Sequence, residues 1–250
     1  MKALIISAGS ATRLGNLTQE IPKGLLKIHN KSILEIQIEQ FKKKNISNII
    51  IITGPHHEKY NLENISLVND KNHNDHDVLG SLMTVKSEIN DELITSYSDL
   101  VFDETILNSL FNFQGDVGLA VDLNWEQNYL NRTEHPKNQA DNVVIVDNKI
   151  IKIKKNIIEC KNSEQIGEFL GLMKLSKKGA KIFVKKYDEL LDSHEGNFQN
   201  APSLKKAYLT DLIQELINSG VTILPIFIDG KWSEIDTPQD LENAKKIFKI

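Results

Sequence analysis

The sequence is poor in cysteine and aromatic residues and has no long apolar run, and each shortage excludes a class of protein. Its 250 residues include one cysteine, Cys160, which cannot form a disulfide within the chain. Aromatic residues make up 6% of the chain, and its apolar runs are far shorter than the roughly 20 residues of a membrane-spanning helix. The start Met1-Lys2-Ala3-Leu4 lacks the pattern of a secretory leader. We therefore expect a cytoplasmic protein with no membrane partner.

Arginine is also scarce, and positive charge is not in excess. The chain has 30 Lys+Arg against 34 Asp+Glu, a net charge of −4, so the sequence predicts no nucleic-acid partner and any anionic ligand must be held by local groups. Only two of the 30 basic residues are arginine, Arg13 and Arg132. Arginine is a planar, forked donor suited to phosphate, which makes both residues candidates for anion contacts. Drift in codon usage is the alternative explanation.

Short β-branched runs alternate with helical patterns, which is typical of βαβ units in an α/β fold with a mainly parallel sheet flanked by helices. The segment 124–142 is polar and embeds aromatic residues and Arg132, as functional loops do. No composition shift divides the chain, so we expect a single domain over residues 1–250, with a small β-rich insertion at about 124–175. The patterns predict strands at 3–7, 48–53, 66–69, 93–97, 117–122, 143–146, 150–154, 168–175 and 221–228, and helices at 32–44, 78–89, 103–111, 180–191, 204–217 and from Thr237 onward.

A loop of small residues follows the first predicted strand and has the character of a phosphate site. Backbone N–H groups at Ala8 and Gly9 can approach phosphates closely, and Arg13 and Lys23 can supply charge. The spacing is neither that of a P-loop nor that of a dinucleotide-binding fingerprint. A simple tight turn is the alternative explanation.

Two aspartates are placed to act together at the carboxyl edge of the predicted sheet. Asp99 follows a strand, and Asp236 lies between a strand and a helix. Ligands of open α/β sheets bind beyond this edge, and Mg²⁺ is held by a few carboxylates plus substrate phosphates. Taken singly, Asp99 could be a turn residue and Asp236 a charge at a helix start.

These motifs together resemble the GT-A-like nucleotidyltransferases, whose N-terminal pattern is GxGxRxx…PK. The resemblance rests on Ala8-Gly9 through Arg13-Leu14, Pro22-Lys23, Tyr97-Ser98-Asp99 and Glu234-Ile235-Asp236. It implies a Rossmann-like sheet with a nucleoside triphosphate bound over the first loop. It also implies that Asp99 and Asp236 bind magnesium, and that Arg13 and Lys23 contact the phosphates.

Four further segments are similar to cytidylyltransferases that act on phosphocholine or small phosphonates. They are His76 to Leu82, Arg132 to Pro136, Gly167 to Leu172 and Ala207 to Asp211. The resemblance places Ser81 near the cytosine and ribose, and the Arg132 loop around the acceptor, where Arg132 would grip its phosphonate in a bidentate manner. The implied nucleotide-binding residues are Ala8, Gly9, Ser10, Ala11, Arg13, Lys23, Asp77, Gly80, Ser81 and Ser98, and the implied acceptor-binding residues are Tyr129, Arg132, His135 and Glu168.

The resulting hypothesis is a Mg²⁺-dependent cytidylyltransferase that joins CMP from CTP to a small phosphonate, first 2-hydroxyethylphosphonate and next 2-aminoethylphosphonate. The alternatives are transfer to phosphocholine or another small phosphate ester, a sugar-1-phosphate nucleotidylyltransferase using UTP, dTTP or GTP, and a non-catalytic nucleotide sensor. One residue departs from the family pattern: Ala11 replaces its second loop glycine, at a steric cost if that position needs a positive φ. The sequence leaves a homodimer open.

Overall fold

The computed structural model describes residues 1–9, 11–157, 159–161 and 163–249. The strands are β1 (Lys2–Ser7), β2 (Lys27–Ile28), β3 (Lys31–Ser32), β4 (Ile49–Thr53), β5 (Ser66–Asn69), β6 (Leu93–Tyr97), β7 (Leu100–Phe102), β8 (Val117–Asp122), β9 (Asp141–Val146), β10 (Lys149–Lys155), β11 (Gln165–Leu175), β12 (Leu224–Phe227) and β13 (Trp232–Glu234). The helices are α1 (Ile33–Lys43), α2 (Val78–Met83), α3 (Glu104–Asn112), α4 (Lys177–Ser193), α5 (Leu209–Asn218) and α6 (Pro238–Ile247).

A mixed nine-stranded sheet forms the centre of the described chain and confirms the predicted α/β fold class. Its main path runs β10-β9-β11-β6-β1-β4-β5, and β8 and β12 branch from β11. Strands β6, β1, β4 and β5 are parallel to their neighbours within that group, whereas β11 is antiparallel to β6, β8 and β9. The predicted insertion therefore joins the main sheet through β11.

Helices cover both faces of the sheet because the central strands are apolar on both sides. In β1, Leu4 and Ile6 pack in the core that includes α2, α4 and α5, while Ala3 and Ile5 pack in the core that includes α1 and α3. This alternation is the two-residue period of a strand. No helix among the described residues is long and apolar enough to cross a bilayer.

Several predicted boundaries are confirmed by the hydrogen bonds that fix them. Ser32 and Glu35 form a capping box at the start of α1, and Thr237 caps α6 by accepting from Asp240 N. Asp147 and Asn148, with φ of 48° and 57°, make the turn between β9 and β10. Positive φ at both central residues is the geometry that two-residue hairpins favour.

Two predicted helices are wrong in extent. The helix expected at 78–89 ends at Met83, where Thr84 Oγ1 donates to Ser81 O at 2.7 Å, and a 3₁₀ turn follows. The helix expected from Leu204 is a 3₁₀ turn followed by α5. Asp211 accepts from Tyr208 N at 2.8 Å and so fixes the later start.

A bend in β11 shapes the edge of the sheet at which the predicted site residues gather. Gly171 has φ of 86°, and the pairing of β11 with β8 shifts register between Phe169 and Met173. A Cβ at Gly171 would lie 2.4 Å from the Tyr97 ring. Glycine is therefore required here both by the backbone conformation and by the close approach of Tyr97.

Candidate active site

The pairing of β7 with β13 brings the two predicted metal-binding aspartates together. Asp99 precedes β7 and Asp236 follows β13, and the antiparallel register places Leu100 opposite Glu234. Ile235 N also donates to Asp99 O at 2.9 Å. Residues distant in sequence thus present their carboxylates to one point at the sheet edge.

A lysine ammonium occupies the point at which the two carboxylates converge. Lys23 Nζ lies 2.8 Å from Asp99 Oδ2 and also contacts Asp236 Oδ1. Arg13 Nη2 lies 2.7 Å from Asp236 Oδ2, and its side chain is half exposed to the cleft. The four residues predicted to be catalytic are therefore neighbours, while their roles stay predictions.

Ion pairing within this cluster keeps Lys23 and Asp236 charged although both are buried. Burial opposes the charge of Lys23, but the attraction of Asp99 and Asp236 outweighs burial and raises the lysine pKa. Burial also opposes ionisation of Asp236, and Lys23 and Arg13 reverse this and lower its pKa. The pKa of Glu234 is instead raised to about 8 by burial and by its neighbours Asp236 and Asp99.

The donor set at Asp99 and Asp236 fits magnesium. Both carboxylates already contact one cation, the Lys23 ammonium, and hard oxygen ligands of this kind suit Mg²⁺. A second group within the described chain, His135, Glu234 and Asp236, has ligand atoms within 4.8 Å of one another. There Arg132 donates at 2.9 Å to His135 Nδ1, the nitrogen that lies 3.2 Å from Asp236 Oδ2, so that nitrogen already has a partner. Asp99 with Asp236 is the better match.

A cleft of about 400 Å³ opens above these charges. Its walls include five of the residues predicted to bind nucleotide: Gly9, Ala11, Arg13, Lys23 and Ser98. The predicted Ser10 lies outside the described residues. The cleft is large enough for part of a nucleotide, with its cations at one end.

Ala11 adopts the left-handed conformation in which the family pattern has glycine. Its φ is 51° and its ψ is 37°, a region that costs a residue with a Cβ about 1–2 kcal/mol. Its side chain packs beside the core formed by α1 and α6. The loop thus keeps its glycine-like geometry with alanine in place.

Other predicted nucleotide-binding residues line a neighbouring cavity of about 250 Å³. This cavity shares Ile6, Gly9 and Val78 with the cleft. Ala8, Asp77 and Ser81 lie in its wall. Ser81 Oγ donates to the buried Asp70 Oδ2 at 2.8 Å. Gly80 lies behind this wall, where a Cβ would come within 2.4 Å of the His76 ring.

The predicted acceptor-binding residues divide into two layers. Glu168 and His135 line a small cavity of about 50 Å³, which shares Arg13 and Asp236 with the main cleft. Tyr129 lies behind it and donates its hydroxyl to Glu168 Oε1 at 2.6 Å. Burial lowers the pKa of His135 to about 4, with Arg132 adding to the shift, so its ring is neutral near pH 7.

Arg132 belongs to the rear layer, because internal partners hold its guanidinium. The side chain is 6% exposed, and Nε donates to Asp240 Oδ1 at 2.6 Å. Nη2 donates to His135 Nδ1 at 2.9 Å and to Glu234 O at 3.2 Å. These contacts do not support the predicted bidentate grip on the acceptor. They indicate instead that Arg132 supports His135 and the β13–α6 loop.

We expect Arg132→Met to destabilise the protein strongly. The substitution leaves Asp240 buried without its charge partner, and breaking a buried pair costs about 3–5 kcal/mol. Urea unfolding followed by circular dichroism measures the loss. The control is Lys137→Met, which removes an exposed cation paired with Glu126 and should cost less than about 1 kcal/mol. Equal stability of the two variants would show that Arg132 does not brace the loop.

Sequence reasoning missed three residues that line the main cleft: Asp141, Lys155 and Tyr208. Asp141 begins β9, and Lys155 ends β10, so the hairpin carries both to the cleft. Lysine is too common in this sequence for Lys155 to have stood out. Tyr208 falls within the segment 207–211, whose resemblance to cytidylyltransferases was the available signal.

Curated proteins of similar sequence include two that share nearly the whole of this chain. The CTP:phosphoglutamine cytidylyltransferase of Campylobacter jejuni is 28% identical over 262 residues, covering 97% of this chain and 98% of that protein. The bifunctional protein GlmU of Methanococcus vannielii is 28% identical over 258 residues, covering 99% of this chain and 55% of that protein. The chain therefore spans about half the length of GlmU. The choline-phosphate cytidylyltransferase of Streptococcus pneumoniae is 33% identical over 114 residues, covering 44% of this chain and 50% of that protein.

Solved structures share the fold at lower identity. The CTP:phosphocholine cytidylyltransferase from Streptococcus pneumoniae superposes with a TM-score of 0.73 at 23% identity and covers 99% of both chains. A glucose-1-phosphate thymidylyltransferase from Bacillus anthracis, itself assigned provisionally, gives 0.70 at 18% identity, covering 98% of this chain and 94% of that chain.

The model of one family matches more than half of the chain. It is the Nucleotidyl transferase model, and the match runs over residues 2–159, from β1 through the first loop, Lys23 and Asp99 to the end of the β9–β10 hairpin. The chain belongs to the nucleotidyl transferase family.

Proposed function

We propose that this protein is a Mg²⁺-dependent cytidylyltransferase that transfers CMP from CTP to a small phosphorylated molecule and releases pyrophosphate. The observation that carries the proposal is the convergence of Asp99 and Asp236 on one cation beside Arg13, at the mouth of the cleft. Similarity over nearly the full length to a CTP:phosphoglutamine cytidylyltransferase supports CTP as the donor.

The arrangement suits nucleotidyl transfer because the main obstacle is charge repulsion. The acceptor phosphate is anionic at pH 7, so one of its oxygens can attack the α-phosphorus of CTP without a strong base. A new P–O bond forms, and the bond to the β-phosphate oxygen breaks as pyrophosphate leaves. Lys23 and Arg13 supply fixed positive charge to this path. Asp99 and Asp236 would hold the Mg²⁺ that neutralises the departing phosphates.

The acceptor favoured by the comparisons is a phosphorylated small molecule rather than the phosphonate preferred from the sequence. The similar cytidylyltransferases are named for phosphoglutamine and choline phosphate, and none of the relatives named above is named for a phosphonate. The pathway implied by 2-hydroxyethylphosphonate is therefore without support, and the alternative of a phosphate ester takes its place. Phosphonates remain informative as test compounds.

A sugar-1-phosphate nucleotidylyltransferase is the second candidate, because a bifunctional sugar-1-phosphate nucleotidylyltransferase/acetyltransferase of Sulfurisphaera tokodaii is 33% identical to this chain over 103 residues. The small cavity beside Asp236 counts against it. Its volume of about 50 Å³ is small beside the cleft of about 400 Å³, which favours a compact acceptor group over a hexose ring.

A panel of nucleotides and acceptors tests the proposal. CTP, UTP, dTTP, GTP and ATP are each offered with Mg²⁺ and phosphocholine, phosphoethanolamine, 2-hydroxyethylphosphonate, 2-aminoethylphosphonate or glucose 1-phosphate, and pyrophosphate release is followed. We expect turnover with CTP and a short phosphorylated acceptor. Turnover confined to a hexose 1-phosphate with another nucleotide would establish the second candidate. Binding of CTP without turnover would indicate a nucleotide sensor.

A further inference from the structure

Two buried carboxylate oxygens in the wall of the small cavity have no hydrogen-bond partner. They are Asp141 Oδ1 and Glu168 Oε2, both inaccessible to solvent and unpaired among the described residues. Both residues line the 50 Å³ cavity next to Asp236, and Glu168 is 4% exposed. Because an unpaired buried polar group costs free energy, such atoms are rare in native proteins. A ligand with hydrogen-bond donors would supply the missing partners of these two oxygens.

Two other carboxylates in the wall of this cavity, Asp236 and Glu234, have cationic partners, unlike the two unpaired oxygens. Asp236 is held by Arg13 and Lys23, and Glu234 lies 3.3 Å from Arg132. Lys155 also lines the cavity, but it forms no salt bridge with Asp141 within 4 Å and instead lies over the Tyr208 ring. Burial raises the pKa of Glu168 to about 8 against the opposing effects of the Tyr129 hydrogen bond and Arg132, and it raises the pKa of Asp141 to about 6 against the opposing charge of Lys155.

The remaining walls of the cavity also suit a cation. Tyr97, Phe169 and Trp232 line it, and the rings of Tyr97 and Phe169 pack edge to face at 6.4 Å. Aromatic faces attract cations. Carboxylates and aromatic rings therefore line the same small cavity, and Asp236 of the main cleft lines it as well.

We propose that the acceptor carries a primary ammonium group, or another cationic nitrogen with N–H donors, that binds between Asp141 and Glu168 and selects the substrate. This inference rests on the proposed function, because it names the end of the acceptor remote from the reacting phosphate. The unpaired oxygens distinguish among cations. A trimethylammonium group has no N–H and would leave both oxygens unpaired, whereas an ammonium group has three donors. The same head group can be carried on a phosphate ester or on a phosphonate.

Matched acceptors at saturating CTP and Mg²⁺ test this inference. We expect kcat/KM for phosphoethanolamine to exceed that for ethyl phosphate by about 30-fold, the ratio that a charge-assisted hydrogen bond supplies. Phosphocholine should fall well below phosphoethanolamine. The same comparison is made for phosphonates, with 2-aminoethylphosphonate against ethylphosphonate. Whichever of phosphoethanolamine and 2-aminoethylphosphonate has the higher kcat/KM shows whether the natural acceptor is a phosphate ester or a phosphonate.

Glu168→Gln tests whether the cavity provides this preference. The variant keeps an oxygen for Tyr129 and replaces the unpaired oxygen by an amide donor. We expect the ratio of kcat/KM for phosphoethanolamine to kcat/KM for ethyl phosphate to fall to near one, because the variant removes the acceptor for the ammonium group. Asp141→Asn serves the same purpose should Glu168→Gln fail to fold. Glu126→Gln is the control, because Glu126 is an exposed glutamate in the 3₁₀ turn Trp125–Tyr129 and does not line the cavity.

The outcomes separate this inference from the proposed function. Equal use of ethyl phosphate and phosphoethanolamine, or a preference for phosphocholine, would overturn the ammonium site and leave cytidylyl transfer in place. Retention of the full ammonium preference in both variants would overturn the assignment to Asp141 and Glu168. Absence of turnover with every acceptor would contradict the proposed function itself.

Discussion

Replacing Asp236 by Asn is expected to lower kcat by about 10³-fold while the fold stays intact. The carboxylate is shared by Lys23 and Arg13 and faces the cleft with Asp99. An amide retains the shape but loses the charge that would bind Mg²⁺. A bound metal contributes several kcal/mol to the stabilisation of developing charge, and each 1.36 kcal/mol corresponds to a tenfold change in rate.

The measurement is pyrophosphate release at saturating CTP and Mg²⁺, with circular dichroism to verify folding. Asp229→Asn is the matched control, because Asp229 is an exposed aspartate in the loop before β13. Its activity should equal that of the wild type. Full activity in Asp236→Asn would remove this residue from the metal site and weaken the parallel assignment of Asp99.

Replacing Lys23 by Met is expected to have two opposite effects. Turnover should fall by about 10²–10³-fold, the range seen when one preorganised charge donor is removed from an active site. Affinity for Mg²⁺ in the absence of nucleotide should increase. In the wild type the ammonium of Lys23 contacts both Asp99 and Asp236, so a metal ion must displace it. In the variant this ammonium is gone, and Arg13 still contacts Asp236 Oδ2.

Isothermal titration of the nucleotide-free protein with Mg²⁺ measures the second effect, and pyrophosphate release measures the first. Lys27→Met is the control, because Lys27 is an exposed lysine in β2 close in sequence. Weaker Mg²⁺ binding in Lys23→Met than in the wild type would mean that the metal does not bind at the point that Lys23 occupies.

The predicted fold follows from hydrophobic patterns, and its errors lie where side-chain hydrogen bonds set the ends of helices. Strand β4 is an apolar run with a clear end, and α6 begins at a capping sequence that can be identified without the structure. The early end of α2 depends on a side-chain bond from Thr84 to a backbone carbonyl. The spacing of apolar residues, from which the helix was predicted, contains no information about such a bond.

The candidate site was predictable where its residues follow strands in sequence motifs. Asp99, Asp236, Arg13 and Lys23 stood out in this way, and the structure places them together. The position of Arg132 was not predictable, because its partner Asp240 lies in α6 and no local pattern pairs them. Asp141 was missed for a similar reason, since only the pairing of β9 with β10 and β11 brings it to the cavity.

The fate of the α-phosphorus of CTP tests the central claim most directly. CTP labelled at the α-phosphate is incubated with the protein, Mg²⁺ and phosphoethanolamine, and the products are separated and examined by phosphorus NMR. We predict that the label appears in a diphosphate joining cytidine to the acceptor, with one pyrophosphate released for each molecule formed. Label recovered only in unreacted CTP or in free CMP, with phosphoethanolamine and with every other acceptor of the panel, would contradict the assignment of this protein as a cytidylyltransferase.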